Sequence, residues 1–134
     1  MKYSEKIDLH MHTTVSDGTD SPEQLIAYVK EAGITLFSVT DHDAVKGNRE
    51  VISFLQEGDP KFLTGVEFSC KEYALDGKEE KFHILGYGYD PEAPAMRRVV
   101  ETGHAYRMEK LGMRLDHLKK EFNVVFSDED YAFL

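Results

Sequence analysis

Three short apolar segments in the first half of the chain each end in side chains that can hold a metal ion, and helical segments separate them. Ile7 to His12 closes on His10-Met11-His12, Ile34 to Thr40 runs into Asp41-His42-Asp43, and Phe62 to Phe68 carries Glu67 after Gly65-Val66. Alternate side chains of an extended strand share a face, so Asp8, His10 and His12 are expected to point the same way. Two imidazoles one residue apart on one face can share an ion, and a hydrophobic core offers little other reason to pair them. The order strand–helix–strand–helix–strand predicts a parallel sheet with right-handed crossovers. A metal site is then expected at one rim of an α/β sheet or barrel.

The punctuation between these strands supports that order. Ser16-Asp17-Gly18 is a turn cluster. Ser21, Pro22 and Gln24 form a capping-box pattern with proline in its favoured first position, and Leu25, Ile26, Val29 and Ala32 give the helix a buried stripe ending at Gly33. A second helix is predicted over Asn48 to Glu57, broken by Gly58-Asp59-Pro60. Asp76-Gly77 marks a turn between Phe68–Leu75 and Lys81–Tyr89, so a hairpin is expected there. A long helix follows, about Ala95 to Glu121, with Leu111, Leu115, Leu118 and Phe122 on one stripe. Val124-Val125-Phe126 reads as a short strand or a buried connection, and Ser127-Asp128-Glu129-Asp130 as the start of another helix. The apolar run Tyr131-Ala132-Phe133-Leu134 stands one turn into that helix with nothing following to cover it, which predicts a truncated domain.

With 134 residues the chain is one domain at most. A formal net charge of −9 argues against broad attraction to nucleic-acid backbones or anionic membranes, though not against a phosphate-bearing substrate. Divalent cations would reverse the field locally without altering the acidic exterior. Cys70 is the single cysteine, so no intrachain disulfide is possible. Met1 to Lys6 lacks the apolar run of a signal peptide, and no stretch approaches the roughly 20 apolar residues of a membrane span. A cytoplasmic location is therefore expected.

Each candidate ligand also has a plainer reading. His10 and His12 are the leading pair. Asp8 reads equally as a structural strand-start residue or as a carboxylate that orients an imidazole. Asp17, taken alone, reads as a turn residue. His42, flanked by Asp41 and Asp43, makes three ionisable residues at a strand end, which is costly unless something charged or wet faces them. Glu67 stands where a carboxylate could bridge two metals. His83 lies in a strand, where a lone histidine is ordinarily a satisfied core residue, and only the other ligands raise it above that. His104 and His117 fall on the long helix without metal spacing and read as solvated. Cys70 reads as a small packed residue. Histidines with carboxylates and no cysteine ligand suit Zn, Mn or Fe(II).

Asp8-Leu9-His10-Met11-His12-Thr13, Ser16-Asp17-Gly18, Thr40-Asp41-His42-Asp43, Gly65-Val66-Glu67 and His83-Ile84-Leu85-Gly86-Tyr87, in this order, resemble the PHP (polymerase and histidinol phosphatase) superfamily. The Ser-Asp-Gly and Thr-Asp-His-Asp forms look most like stand-alone PHP phosphoesterases acting on nucleotides or short oligonucleotides. The resemblance implies an α/β fold, part of a distorted (βα)7 barrel with parallel strands and a hairpin insertion. It implies that residues 1–134 are the N-terminal portion of a PHP domain. It also implies two or three divalent metals per complete site: His10 and His12 on one, Glu67 bridging, Asp17 and His42 on a second, and His83 helping to hold a third. Asp8, Asp41 and Asp43 would stand behind these ligands. Asp17 becomes a ligand on this ground alone.

The implied reaction is hydrolysis of a phosphate ester by a metal-bound hydroxide. Family members carry further ligands in a second half: a later histidine and an Asp-x-His, which His104 and His117 do not match. An eight-stranded (βα) barrel also needs about 250 residues. These 134 residues alone are therefore expected to turn over poorly, needing a missing C-terminal half or a second copy of the chain. Two alternatives stand beside this reading: a non-catalytic metal-binding or interaction domain keeping only the front ligands, and a metal-dependent hydrolase of amides or amidines.

Overall fold

The computed structural model describes residues 6–73 and 75–133, with backbone alone at 131–133. The side chains of Tyr131, Ala132, Phe133 and Leu134 thus lie outside the described ones, as do the opening residues 1–5. The elements in chain order are β1 (Lys6–Met11), α1 (Pro22–Glu31), β2 (Ile34–Val39), α2 (Lys46–Phe54), β3 (Lys61–Tyr73), β4 (Glu79–Tyr87), α3 (Pro94–Phe122) and α4 (Asp128–Phe133). They fall into two compact units, residues 1–100 and residues 101–134.

The first unit is an α/β fold on one four-stranded sheet of order β1-β2-β3-β4. β1 pairs with β2, and β2 with β3, in parallel. Helix α1 forms where the sequence places it. Ser21 Oγ accepts from the Gln24 N–H at 3.2 Å and Gln24 Oε1 accepts from the Ser21 N–H at 2.9 Å, with Pro22 in the first turn. Gly33, at φ +67°, takes the left-handed turn that ends it. Leu25, Ile26 and Val29 of α1, Phe37 and Val39 of β2, and Val51 of α2 make the core, with Met11, Ile34, Leu55 and Phe62 packed against it.

Two of these expectations are corrected by the sheet and its helices. Helix α2 starts and stops earlier than Asn48 to Glu57, because Leu55 is already extended and the Asp59 carboxylate accepts from the Gln56 N–H at 3.0 Å to form a turn. Strand β3 does not stop near Phe68. It changes partner partway along, running parallel to β2 up to Thr64 and antiparallel to β4 from Gly65↔Tyr87 to Tyr73↔Glu79. Strand and hairpin arm are therefore one continuous element.

The second unit holds most of α3 together with α4. No residue of α3 is buried, so the Leu111–Phe122 stripe is periodic without being covered among the described residues. Asn123, at φ +54°, ends α3, and Val124 and Val125 are exposed and form no strand. The Ser127 start of α4 is a reciprocal cap: Ser127 Oγ accepts from the Asp130 N–H at 3.2 Å, and Asp130 Oδ2 accepts from the Ser127 N–H at 2.7 Å. That hydrogen bond holds the Asp130 carboxyl below its ordinary range. Among the described residues no helix is long and apolar enough to cross a membrane.

Candidate metal centre

Four imidazoles and two carboxylates meet where β1 and β2 end, beside Glu67 within β3 and His83 within β4. The organising group is the buried Glu67 carboxylate. His10 Nε2 lies 2.8 Å and His12 Nε2 3.1 Å from Oε2, while His83 Nδ1 lies 2.6 Å from Oε1. His42 Nε2 approaches Oε2 at 3.9 Å. Asp17 links two of these rings, 3.2 Å from His12 Nδ1, the nitrogen not used toward Glu67, and 3.6 Å from His42 Nε2. The rings of His10 and His12, His12 and His42, and His42 and His83 have centroids 5.2, 4.8 and 4.8 Å apart. Three overlapping groups result: His10–His12–Glu67, His12–Asp17–His42 and His42–Glu67–His83, each with donor atoms within 4.8 Å of one another.

Backbone pairing explains why these residues converge. Beyond β2 the chain returns to β3 through one isolated bridge, His42↔Glu67. The Glu67 N–H donates to the Asp41 carbonyl at 3.3 Å and the Asp43 N–H to the Glu67 carbonyl at 3.0 Å. His83 comes alongside by antiparallel pairing, opposite Ser69 and two residues from Glu67. Burial pushes the Glu67 carboxyl up, but hydrogen bonds from His10 and His83 and the nearby His42 outweigh it, and the group is held below its usual range.

The three aspartates beside these candidate ligands accept from backbone N–H groups and, at Asp41, from hydroxyls as well. Asp41 is fully buried and accepts from the Thr13 N–H at 2.7 Å, the Thr13 hydroxyl at 2.8 Å and the Ser16 hydroxyl at 2.8 Å. It thereby fixes the loop that presents Asp17. Asp43, at φ +49°, accepts from the Ser69 N–H at 2.8 Å. Asp8 Oδ1 accepts from the His10 N–H at 3.1 Å, so its carboxylate serves the backbone beside an imidazole. A Cβ on Gly47 would stand 2.0 Å from Asp41 Oδ2. Gly47→Ala is therefore expected to cost about 1–3 kcal/mol by overpacking and to loosen the Thr13–Ser16 loop. Urea unfolding together with hydrogen exchange at the Thr13 amide checks both effects.

Several contributors escaped the sequence reading. Asn48 is fully buried: its amide donates to the Val39 and Gly65 carbonyls at 3.2 and 2.8 Å and accepts from the Gly65 N–H at 2.9 Å. It clamps β2 to β3 just before Glu67. The Tyr89 hydroxyl also donates to the Gly65 carbonyl, at 2.8 Å, and burial pushes its pKa well up. The only available signal was an asparagine on the α2 face that also carries Val51. His104 and His117 are exposed, and His117 meets Phe122 edge-on. Cys70 is half-buried, opposite Phe82.

The donor set fits divalent cations on chemical grounds. Two carboxylates supply negative charge, four imidazoles supply nitrogen donors, and His42 Nδ1 is buried without a hydrogen-bond partner among the described residues. A mostly parallel α/β sheet with such a cluster along one side defines a class of proteins with candidate metal ligands gathered from successive strands. The PHP domain family model matches residues 8–131, and the chain belongs to that family. It is 31% identical over 117 residues to a 5′-3′ exoribonuclease of Haemophilus influenzae, covering 87% of this chain and 41% of the relative. It is 31% identical over 113 residues to a 3′,5′-nucleoside bisphosphate phosphatase of Chromobacterium violaceum, covering 82% and 38%. A solved structure from Bifidobacterium adolescentis, assigned as a metal-dependent phosphoesterase, shares the fold with a TM-score of 0.75 at 24% identity, covering 92% of this chain and 41% of its own. The chain thus spans about two fifths of the length of these proteins.

Proposed function

We propose that this chain carries the front ligands of a PHP metal-dependent phosphoesterase centre, acting on phosphate esters of the nucleotide or short-oligonucleotide class. One observation carries the reading: the Glu67 carboxylate is shared by His10, His12 and His83, with His42 beside it, so neighbouring donor groups have a ligand in common. Under this reading His10 and His12 hold one cation with Glu67, Asp17 and His42 hold a second with His12 alongside, and His83 contributes to a third. Zn, Mn and Fe(II) all suit the set. Bound divalent ions supply Lewis acidity, acidifying water and neutralising phosphate charge.

The chain's own residues do the rest. Glu67 and Asp17 provide the negative charge that retains cations, and Asp41 and Asp43 hold the loops in register. His10 and His83, each with half of the side chain exposed, leave the rim open to a phosphate ester. The names of the relatives, one a nucleoside bisphosphate phosphatase and one an exoribonuclease, support this substrate class. The domain proposed for residues 1–134 is the first part of a distorted (βα)7 barrel, completed by further chain or by a second copy. A reducing, cytoplasmic setting suits the lone Cys70.

A second reading is a metal-binding domain without turnover. What supports it is that metal ligation needs no more than the three residues of each donor group. Chelator-stripped protein reloaded with Zn, Mn or Fe(II) separates the two when given a 3′,5′-nucleoside bisphosphate and short RNA. Release of phosphate or nucleotide that vanishes on chelation supports the phosphoesterase. Tight metal binding with no turnover supports the second reading, and absence of metal binding overturns both.

A further inference from the structure

The backbone of β1 slips against β2 beside the cluster. From Asp8 to Met11 β1 advances three residues, whereas its partners on β2, Phe37 to Val39, advance two. A bulge of this kind disrupts the ladder and re-aims the side chain it carries, here His10. Side chains meet the backbone groups at this point. The His10 N–H donates to Asp8 Oδ1 at 3.1 Å, and the Leu9 carbonyl accepts from the Tyr87 phenol at 2.8 Å.

Tyr87 belongs to β4, which lies at the opposite edge of the sheet from β1. Its phenol therefore reaches across the curl of the sheet, past the strands that intervene in the hydrogen-bonded order. β4 also carries His83, bonded to Glu67 Oε1 at 2.6 Å, while His10 from the bulge bonds Glu67 Oε2 at 2.8 Å. The two outer strands thus touch the same carboxylate, and Tyr87 joins them directly.

We propose that Tyr87 is a positioning residue: with Asp8 it clamps the Leu9–His10 bulge, and so sets where the His10 imidazole stands relative to Glu67 and His83. Its consequence for metal affinity rests on the metal-centre reading above. The placement of His10 does not.

The test uses the full chain with 15N-labelled histidine, metal-free and then titrated with Zn or Mn. In Tyr87→Phe the His10 ring nitrogen signals should move toward those of a solvated imidazole, while those of His12 and His42 stay in place. Metal binding should weaken about three- to tenfold, the size of one lost hydrogen bond. Asp8→Ala should reproduce the His10 change, and Asp8→Asn, which keeps an oxygen acceptor, should restore it. Unchanged His10 signals and unchanged affinity in Tyr87→Phe overturn the proposal. So does a common shift of all four imidazoles, which would make the phenol a general support of the fold. If the wild-type chain binds no metal yet His10 still moves in the variant, the positioning stands and the metal-centre reading falls.

Discussion

Replacing Glu67 with glutamine is expected, on the phosphoesterase reading, to abolish any metal-dependent phosphate release and to weaken more than one ion at once. The charged oxygens of Glu67 face His10 and His12 on one side and His83 on the other, so the substitution removes the shared ligand of two of the three donor groups. Losing several kcal/mol of charge stabilisation at the reacting phosphate corresponds to a rate loss on the order of 100-fold or more. Isothermal titration of the stripped protein should show the metal stoichiometry falling together with turnover. Near-wild-type turnover in Glu67→Gln would remove the carboxylate from the mechanism. The metal-free form should gain no stability from the change, because hydrogen-bonded imidazoles surround this carboxylate and hold its pKa down.

Asn48→Ala is expected to be the most destabilising single change away from the ligands. It leaves the Gly65 N–H without its acceptor and the Val39 carbonyl without the amide donor, while the Gly65 carbonyl keeps the Tyr89 hydroxyl. Two buried backbone groups stranded in this way cost about 2–5 kcal/mol. Denaturant titration measures the loss directly, and a change below about 1 kcal/mol would mean that water or a backbone shift replaces the amide. The effect should extend to the metal site, since the clamp lies two residues before Glu67.

The parts legible in the sequence were those governed by short-range rules. The Ser21–Gln24 cap, the Gly33 stop and the Asp76-Gly77 hairpin depend on residues a few positions apart. His10, His12, His42 and Glu67 were legible as a set because parallel strands deliver their ends to one rim. Asp17 was different. Its turn gave no hint that it would join the cluster, since what presents it is the buried Asp41, twenty-four positions along the chain. Asn48, Thr13 and Tyr87 were unreadable for a related reason. Each satisfies a backbone or carboxylate group whose need arises from a register slip or a strand junction, which exists only once the sheet is built. The leucine stripe of α3 shows the converse: periodicity was visible, yet it says nothing about whether a face is covered.

The change of partner along β3 has a consequence for how the cluster closes. His83 reaches Glu67 across a hairpin, 16 residues away, whereas His10 reaches it from 57 residues away. Loop-closure entropy makes the longer connection dearer by only about 1 kcal/mol. That small difference still falls on a strand whose ladder is interrupted by the bulge at His10. The hairpin side of the centre is tied by continuous, local pairing. The β1 side is a late-closing seam, and any transient opening of the centre is expected to begin there, with His10 parting from Glu67 before His83 does.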